Sequence, residues 1–374
     1  MTVLDSAAAL RRHLADRLTE SGVLRTEQWR AAVEAVPRHE FLRGGFFRRF
    51  GSAWRPVPAD REGWLELCYA DESLVTQIAG TIVPGDIRGE ILREPTSSST
   101  LASLVVRMLE DLQVQDGHRV LEIGTGTGYS TGLLCHRLGD ELVTSVEVDA
   151  GVSCRASAGL GACGYFPDLV VGDGLAGHKD GAPYDRVIAT CGVRELPHTW
   201  IEQTKPGGII LATLCGWMHS SELARLTVGH DGVAHGRFLG GQVQFMLARP
   251  QMPPPLGMLP DLDSGKERQA RVGADVLDDW DARFVAQLAA PRAQHLSLTL
   301  EDRTRHVLVD VEAGAWAALA LDGKQWTVRQ GGPVQLWDAV EDHLLRWQVD
   351  GSPTLDRFEV MVTPEGQRVT WPIV

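Results

Sequence analysis

The sequence predicts an α/β fold: a mostly parallel, seven-stranded sheet with helices before it and a smaller α+β region after it. Between residues 100 and 214, apolar segments alternate with helical ones, beginning with "RVLEIG" and ending with "GGIILATL". Continuous apolar strands alternating with helices are typical of a parallel sheet covered on both faces. Residues 222–248 have the pattern of antiparallel strands, which we expect to complete the sheet.

Length and charge limit the class of protein. A chain of 374 residues is long for one core, so two domains are expected. The net charge of −13 argues against nonspecific binding to nucleic acid or to an anionic membrane. Residues 1–25 lack the pattern of a signal peptide and no apolar segment is long enough to cross a bilayer, so we predict a cytoplasmic protein. The six cysteines lack metal-ligand spacing, and no metal site is predicted.

Composition divides the chain into four predicted regions. Residues 1–95 begin with helices and continue as an irregular region rich in Gly, Arg and Trp, which we expect to contribute to a substrate pocket. Residues 96–248 form the predicted cofactor-binding core. Residues 249–267 concentrate Pro and Gly, as a linker does, and residues 268–374 are predicted to form an accessory α+β region.

The segment "VLEIGTGTGYS" has the pattern of a strand, a glycine loop and a helix. Glycines at 124, 126 and 128 let the backbone turn sharply and approach a ligand closely. Glu147 ends the next predicted strand, where a carboxylate can accept hydrogen bonds from ribose hydroxyl groups. The loop, the acid and their strands together predict a nucleotide-like cofactor.

The third glycine of the loop distinguishes between cofactors. A dinucleotide-binding loop has this glycine at the place of Tyr129, whereas here it comes one residue earlier, giving E-x-G-x-G-x-G. That pattern resembles motif I of the Rossmann-like S-adenosylmethionine (SAM) methyltransferases. The segment "VGDG", 171–174, resembles the part of that family that meets the adenine ring, with Asp173 as the partner of the adenine amine. The resemblance implies SAM as cofactor. The residues it places at the cofactor are Glu122, Gly124, Thr125, Gly126, Gly128, Tyr129, Glu147, Val148, Gly172, Asp173 and Gly174.

Three segments before the glycine loop narrow the family. "AVPRHEF" (35–41), "YADESL" (69–74) and "PTSSST" (95–100) resemble, in order, the V-P-R-H-x-F, Y-A-D and T-I-S-Q-P-like segments of the protein-L-isoaspartate O-methyltransferases. "YDRVIATCGV" and "KPGGIIL" continue the likeness downstream. The C-terminal region, with "RQGGPVQLWDAVE", looks like that of longer actinobacterial homologues associated with ribosomally synthesised, modified peptides. The resemblance implies methyl transfer to a peptide carboxylate.

A hydroxyl-rich run marks the predicted acceptor site. Positions 96–103 hold six Ser and Thr side chains, more than the capping of the following helix requires. Setting "TLASLVVRMLE" against the family's S-Q-P-x-x-x-A-x-M-x-E places Thr100 at the usual serine, with Leu101 and Ala102 in place of Gln-Pro. The resemblance thus implies that Thr100 orients the acceptor carboxylate, with Ser98 or Ser99 as alternatives if the loop shifts. An aspartyl carboxylate is ionised at neutral pH, so it needs orientation rather than a general base.

Several alternatives stay open at this point. His39 and Asp71 match family positions, and either a structural or a direct role fits them. The chain either tailors an aspartate of a dedicated precursor peptide, in linear or cyclised form, to an aspartimide, or repairs isoaspartyl residues of damaged proteins. The substitution at the acceptor run, the insertion at 42–68 and the additional C-terminal region favour tailoring. A SAM-binding interaction protein without turnover is a third alternative, against which the intact glycine loop argues.

Overall fold

The computed structural model describes residues 3–300 and 303–372. The helices are α1 (Val3–Glu20), α2 (Glu27–Ala35), α3 (Trp64–Cys68), α4 (Ala102–Asp111), α5 (Tyr129–Leu138), α6 (Ala150–Ala162), α7 (His198–Glu202), α8 (Trp280–Ala289) and α9 (Leu336–Val349). The strands are β1 (Phe46–Phe50), β2 (Ala53–Val57), β3 (Leu74–Ile78), β4 (Pro95–Ser99), β5 (Val120–Ile123), β6 (Val143–Glu147), β7 (Asp168–Val171), β8 (Tyr184–Val193), β9 (Thr204–Cys215), β10 (Ser221–Val228), β11 (Ala234–Phe238), β12 (Lys266–Gln269), β13 (Gln294–Leu300), β14 (Arg303–Asp310), β15 (Ala315–Asp322), β16 (Gln325–Gly331), β17 (Glu359–Thr363) and β18 (Gly366–Thr370). None of the helices in the described ranges is long and apolar enough to span a bilayer.

The strands of the described residues form three sheets. The largest has nine strands in the order β18-β17-β11-β10-β9-β8-β5-β6-β7. Within it, β5 is parallel to both β6 and β8, and β6 is parallel to β7. A four-stranded sheet has the order β2-β1-β3-β4, and a five-stranded sheet has the order β12-β16-β15-β14-β13.

The prediction of seven mostly parallel strands was wrong in its count. The parallel strands β5 to β8 lie where the alternation of apolar and helical segments predicted them, but the sheet has nine strands and is mixed. Two of its strands are β17 and β18, which form a hairpin in which Thr363 pairs with Gly366. This hairpin comes from the region predicted to be a separate accessory domain. A hairpin has the same sequence pattern whether it adds to an existing sheet or starts a separate one. The sequence therefore did not show that β17 pairs with β11.

The chain divides into two compact units. The first contains the chain up to Thr190, together with Pro197–Leu211 and Thr227–Gly232. The second contains Cys191–Leu196, Ala212–Leu226 and the chain from Val233 onward. This division differs from the four regions expected from composition, because turns and prolines mark where the chain bends rather than where its contacts are fewest.

In the first unit, an antiparallel sheet occupies part of the region predicted to be irregular. β1 and β2 form a hairpin in which Phe46 pairs with Val57, and β3 pairs with both β1 and β4. Phe47, Val75 and Ile78 are buried together in a small apolar cluster beneath it. These strands have only five residues each, and β1 reads "FFRRF", which lacks the alternating pattern by which a strand is recognised.

In the second unit, the segment predicted as a linker packs on the five-stranded sheet. Val307 and Trp316 are buried on one face of this sheet. Leu256, Leu259 and Leu262, which lie within the predicted linker 249–267, pack against that cluster. The segment 249–267, rich in Pro and Gly, therefore covers one face of the five-stranded sheet and shields its apolar side chains from water.

A histidine pair in the second unit predicts sensitivity to acid. His295 and His306 stack with their ring centroids 5.5 Å apart, and burial, aided by the charge of His306, lowers the pKa of His295 to about 4. An unfolded histidine titrates near pH ~6.5, so the unfolded chain takes up this proton first, and stability is lost as pH falls from about 6.5 towards 4. We expect the Tm of the wild type to fall more between pH 7 and pH 5 than that of His295→Gln, by calorimetry. Equal shifts in the two proteins would contradict this expectation.

Candidate active site

The glycine loop between β5 and α5 has the backbone conformation that its sequence predicts. Gly124, Gly126 and Gly128 all have positive φ angles, of 93°, 56° and 92°. At Gly128 a side chain would also meet Ala156, whose Cβ would lie 3.2 Å from the new Cβ. The loop therefore depends on glycine both for its conformation and for close packing against α6.

Glu122 lies beneath this loop. It is fully buried, and its carboxylate accepts hydrogen bonds from the hydroxyl groups of Ser130, Thr131 and Ser145. Burial raises the pKa of Glu122, and the three hydroxyl donors oppose that rise. Both oxygens are thus occupied by the protein. These bonds join β5 to the first turn of α5 and to β6 beside the glycine loop, and a contact of Glu122 with the cofactor stays a prediction.

Glu147 joins the end of β6 to the glycine loop. One carboxylate oxygen accepts from the backbone N–H of Gly126 at 2.9 Å, and the other accepts from that of Asp149 at 3.1 Å. Asp149 in turn caps α6 by accepting from the N–H groups of Gly151 and Val152. The carboxylate is therefore held in a fixed position at the carboxyl end of the parallel strands, where ligands of open α/β sheets bind.

The end of β7 carries the other predicted cofactor residues. The Asp173 carboxylate accepts from the N–H of Leu175 at 3.0 Å, which fixes the turn after Gly172. A side chain at Gly174 would collide with Ile123 of β5, whose Cγ2 would lie 2.5 Å away. Val148, after Glu147, is 43% exposed. β5, β6 and β7 are parallel, so these residues lie along the same edge of the sheet as the glycine loop.

The hydroxyl run forms a strand and leaves the capping of α4 to other residues. Positions 95–99 make up β4, and α4 begins at Ala102. Asp71 accepts from the N–H of Ser103 at 2.9 Å, and Ser73 accepts from that of Leu101 at 3.2 Å. Asp71, whose role the sequence left open, thus has a structural one. The capping explanation for the hydroxyl run does not apply.

Within the run, Ser98, Ser99 and Thr100 differ in their surroundings. Ser99 is 1% exposed and its hydroxyl has no hydrogen-bond partner among the described residues. Thr100 is partly exposed, and its carbonyl accepts a hydrogen bond while its hydroxyl has no partner among those residues. The carbonyl of Ser98 would lie 3.7 Å from a Cβ built on Gly126, so the run passes close to the glycine loop.

Arg38 is a site residue that sequence reasoning missed. Its side chain is fully buried and donates to the carbonyl oxygens of five residues from two segments, at 2.9 to 3.4 Å; they are Cys68, Ala70, Glu72, Ser99 and Thr100. Burial lowers its pKa, and the neighbouring Tyr129 is the foremost group opposing this. The segment "AVPRHEF", which resembles the family, contains Arg38 but does not show which groups it binds.

His39 and Tyr129 complete the surroundings of Arg38. His39 Nδ1 lies 2.7 Å from the Tyr69 hydroxyl, and burial lowers the pKa of His39. Tyr129, predicted to contact the cofactor, is 3% exposed, and its ring lies 5.8 Å from the Arg38 guanidinium carbon. Its hydroxyl has no partner among the described residues. The described part of the chain contains no group of three or more His, Cys, Asp or Glu placed to hold a metal ion.

Comparison with known proteins decides the family. A family model described as protein-L-isoaspartate(D-aspartate) O-methyltransferase (PCMT) matches residues 83–232. The protein-L-isoaspartate O-methyltransferase of Methanopyrus kandleri is 31% identical over 234 residues, which are 62% of this chain and 88% of the relative. The chain belongs to the PCMT family. A second relative in the family, from Thermococcus onnurineus, is 27% identical over 64% of this chain and 97% of its own length.

The fold agrees with that of the PCMT family. A solved structure described as a protein-L-isoaspartate O-methyltransferase matches 97% of this chain and 100% of its own, with a TM-score of 0.58 and 20% identity. This likeness shows the fold. As a PCMT protein, the chain is a SAM-dependent protein carboxyl O-methyltransferase, and its cofactor is SAM.

The residues at the carboxyl edge fit SAM. Glu147 would offer its fixed carboxylate to the ribose hydroxyl groups, and Asp173 would accept from the adenine amine, as the sequence predicts. Gly126 has no side chain to fill the space beside the loop, and Gly174 has none to collide with Ile123. A ligand can therefore approach the backbone at both positions. A carboxylate for the ribose, together with glycines that let the ligand approach the backbone, is the arrangement that a nucleoside-containing cofactor requires.

Replacing Glu147 with alanine is expected to weaken SAM binding. A hydrogen bond to a charged group is worth about 1.5–3 kcal/mol, so S-adenosylhomocysteine should bind roughly ten- to a hundredfold less tightly to Glu147→Ala, by calorimetric titration. Glu141→Ala, which removes an exposed glutamate of the same unit, serves as the control. Unchanged affinity in a folded Glu147→Ala protein would move the ribose site elsewhere.

Proposed function

We propose that this PCMT protein methylates the side-chain carboxylate of an aspartyl or isoaspartyl residue in a peptide, and that its substrate is a dedicated, ribosomally made peptide. The observation that carries the proposal is the acceptor run. There the partly exposed Thr100 has a hydroxyl with no partner among the described residues, beside a strand that passes the glycine loop. We take Thr100 to orient the acceptor, with Ser98 and Ser99 as its alternatives.

The chemistry requires orientation and the exclusion of positive charge. The acceptor is ionised at neutral pH, and one of its oxygens attacks the methyl carbon as the carbon–sulfur bond breaks. SAM supplies that electrophilic methyl group and leaves as S-adenosylhomocysteine. A neutral hydroxyl orients the carboxylate without reducing its nucleophilicity. The terminal nitrogens of the buried Arg38 donate to backbone carbonyl oxygens, including that of Thr100, so this cation is held by the backbone behind the proposed acceptor site.

The methyl ester sets up a second step in the peptide itself. The backbone nitrogen of the following residue attacks the ester carbonyl and loses its proton, and methanol leaves. The product is a cyclic imide, an aspartimide when the acceptor was an ordinary aspartate. This step needs no further group from the enzyme.

Tailoring of a dedicated peptide is favoured over repair by the residues after the acceptor. Thr100, Leu101 and Ala102 stand where the family pattern has Ser-Gln-Pro, and the added methyl group of threonine restricts its side-chain rotamer. A narrower acceptor site suits one defined sequence better than many damaged proteins. The region beyond residue 250 does not separate the two functions, since 97% of this chain matches a solved protein-L-isoaspartate O-methyltransferase over its whole length.

Mass spectrometry of paired peptides tests the proposal. Peptides encoded beside the gene would be compared, with aspartate or isoaspartate at the same position, against aged protein as the repair substrate. We expect a gain of one methylene or a loss of one water on the aspartyl peptide. Methylation confined to isoaspartyl residues, whatever their neighbours, would establish the repair function instead.

A further inference from the structure

A cavity of about 260 Å³ lies next to the glycine loop within the first unit. Gly126 and Thr127 form part of its wall, and Ser97 of β4 forms another part. Most of the remaining lining is apolar or small; it includes Phe41, Val83, Pro84, Val152, Ala158 and Gly159. The cavity is therefore walled on one side by the cofactor loop and on the other by the strand that leads to Thr100.

The cavity is distinct from the predicted cofactor site. Of the residues assigned to SAM, only Gly126 lines it, and neither Glu147 nor Asp173 does. Its volume is also below the ~300–1,000 Å³ typical of small-molecule pockets. A space of this size accommodates one side chain of a bound peptide.

Two arginines line the cavity, and their charges differ in availability. Arg43 donates to both carboxylate oxygens of Glu40, which also lines the cavity, so this pair is neutral overall. Arg155 is exposed and makes no hydrogen bond or ion pair with the described residues. It lies one helical turn from Val152 and from Ala158 on the face of α6 that borders the cavity. The cavity thus combines apolar walls with one arginine that has no ion-pair partner among the described residues, in a protein whose net charge is −13.

The cavity lies within peptide reach of the acceptor site. Ser97 and Thr100 are three residues apart in sequence, and an extended chain spans at most about 3.3–3.6 Å per residue. Their Cα atoms are therefore separated by at most about 11 Å. An extended peptide covers the same distance in two or three residues.

We propose that this cavity binds an acidic side chain of the peptide substrate, two or three residues from the methylated carboxylate, with Arg155 pairing with its charge. A glutamate suits the site best, because its methylene groups match the apolar walls while its carboxylate reaches the arginine. The inference rests on the proposed function and adds a sequence requirement to it.

Synthetic nonapeptides taken from the peptide encoded beside the gene test this requirement in the full-length enzyme. Each carries a central aspartyl or isoaspartyl residue and has Glu, Gln or Lys two or three residues away on either side. We expect kcat/KM of the wild type to be about fivefold higher with Glu than with Gln, the size of a partly exposed ion pair, and to fall towards equality at high salt. Arg155→Gln should lose the preference and Arg155→Glu should favour Lys. Arg12→Gln, which removes an exposed arginine of α1 outside the cavity, should keep the wild-type preference.

The outcomes separate this inference from the proposed function. Equal turnover of the Glu, Gln and Lys peptides by the wild type, or a preference for Glu that survives Arg155→Gln, overturns the inference and leaves carboxyl methylation standing. Absence of methylation in every peptide of the set overturns the proposed function itself. The affinity for S-adenosylhomocysteine should be the same in all the Arg155 variants, because Arg155 is not among the residues assigned to SAM.

Discussion

Thr100→Val should lower methylation of the accepting peptide by roughly ten- to a thousandfold, the range for loss of one positioned hydrogen-bond donor. Valine keeps the branched shape of threonine and replaces its hydroxyl with a methyl group. That hydroxyl has no hydrogen-bond partner among the described residues. The Thr100 carbonyl, held by Arg38 at 2.9 Å, is unaffected by the change, so the backbone should keep its place. Steady-state methylation measured by mass spectrometry gives the effect on kcat/KM.

Three further variants control for shape and for register. Thr100→Ser keeps the donor and removes the methyl group, so it should remain active and accept a wider range of peptides. Ser98→Ala and Ser99→Ala should change turnover little. If valine at position 100 works like the wild type while an alanine at 98 or 99 abolishes turnover, the acceptor site lies earlier in the run.

Arg38→Ala should destabilise the protein by about 3 kcal/mol or more, measured by urea denaturation. The change removes a buried guanidinium and leaves carbonyl oxygens of residues 68–72 and 99–100 without their donor. Arg38→Lys should cost less stability but should still lower kcat. Lysine keeps the charge and has no planar fork with which to hold both segments, so the position of Thr100 is no longer fixed.

A second buried arginine provides the matched control for Arg38. Arg186 is 8% exposed and donates to the carbonyl oxygens of Leu112, Gln113 and Asp185, none of which lies in the predicted site. Arg186→Lys should lower stability and leave the kcat of the folded enzyme unchanged. If both lysine variants keep the wild-type kcat and KM, Arg38 supports the fold without positioning the acceptor.

The sequence predicted the parallel core well because its signals are local. The apolar segments of β5 and β6 and the three glycines between β5 and α5 act within a few residues of one another. The sheet of β1 to β4 was missed because its strands are short and carry arginine and proline. The partner of β17 was missed because strand pairing between distant segments depends on the edge that is available, which no local pattern records.

In the site, residue types were easier to predict than their partners. Glu147 ends β6, as its spacing predicted, and its contact with the glycine loop was not foreseen. The hydroxyl run proved to be a strand because Asp71 and Ser73, from a distant segment, cap α4 in its place. Arg38 was passed over because its acceptors are backbone carbonyls, which leave no trace in the sequence.

The pairing of β11 with β17 makes part of the large sheet a late product of translation. Ala234 pairs with Val362 and Arg237 pairs with Glu359, so β11 leaves the ribosome long before its neighbour has been synthesised. Until then, β11 presents an edge of unpaired N–H and C=O groups, which is a template for pairing with another nascent chain. Contacts between segments so far apart in sequence also form slowly during folding. Truncated chains that end between β11 and β17 should therefore aggregate through the unpaired edge of β11. Chains that extend beyond residue 363 contain β17, which pairs with that edge and protects it.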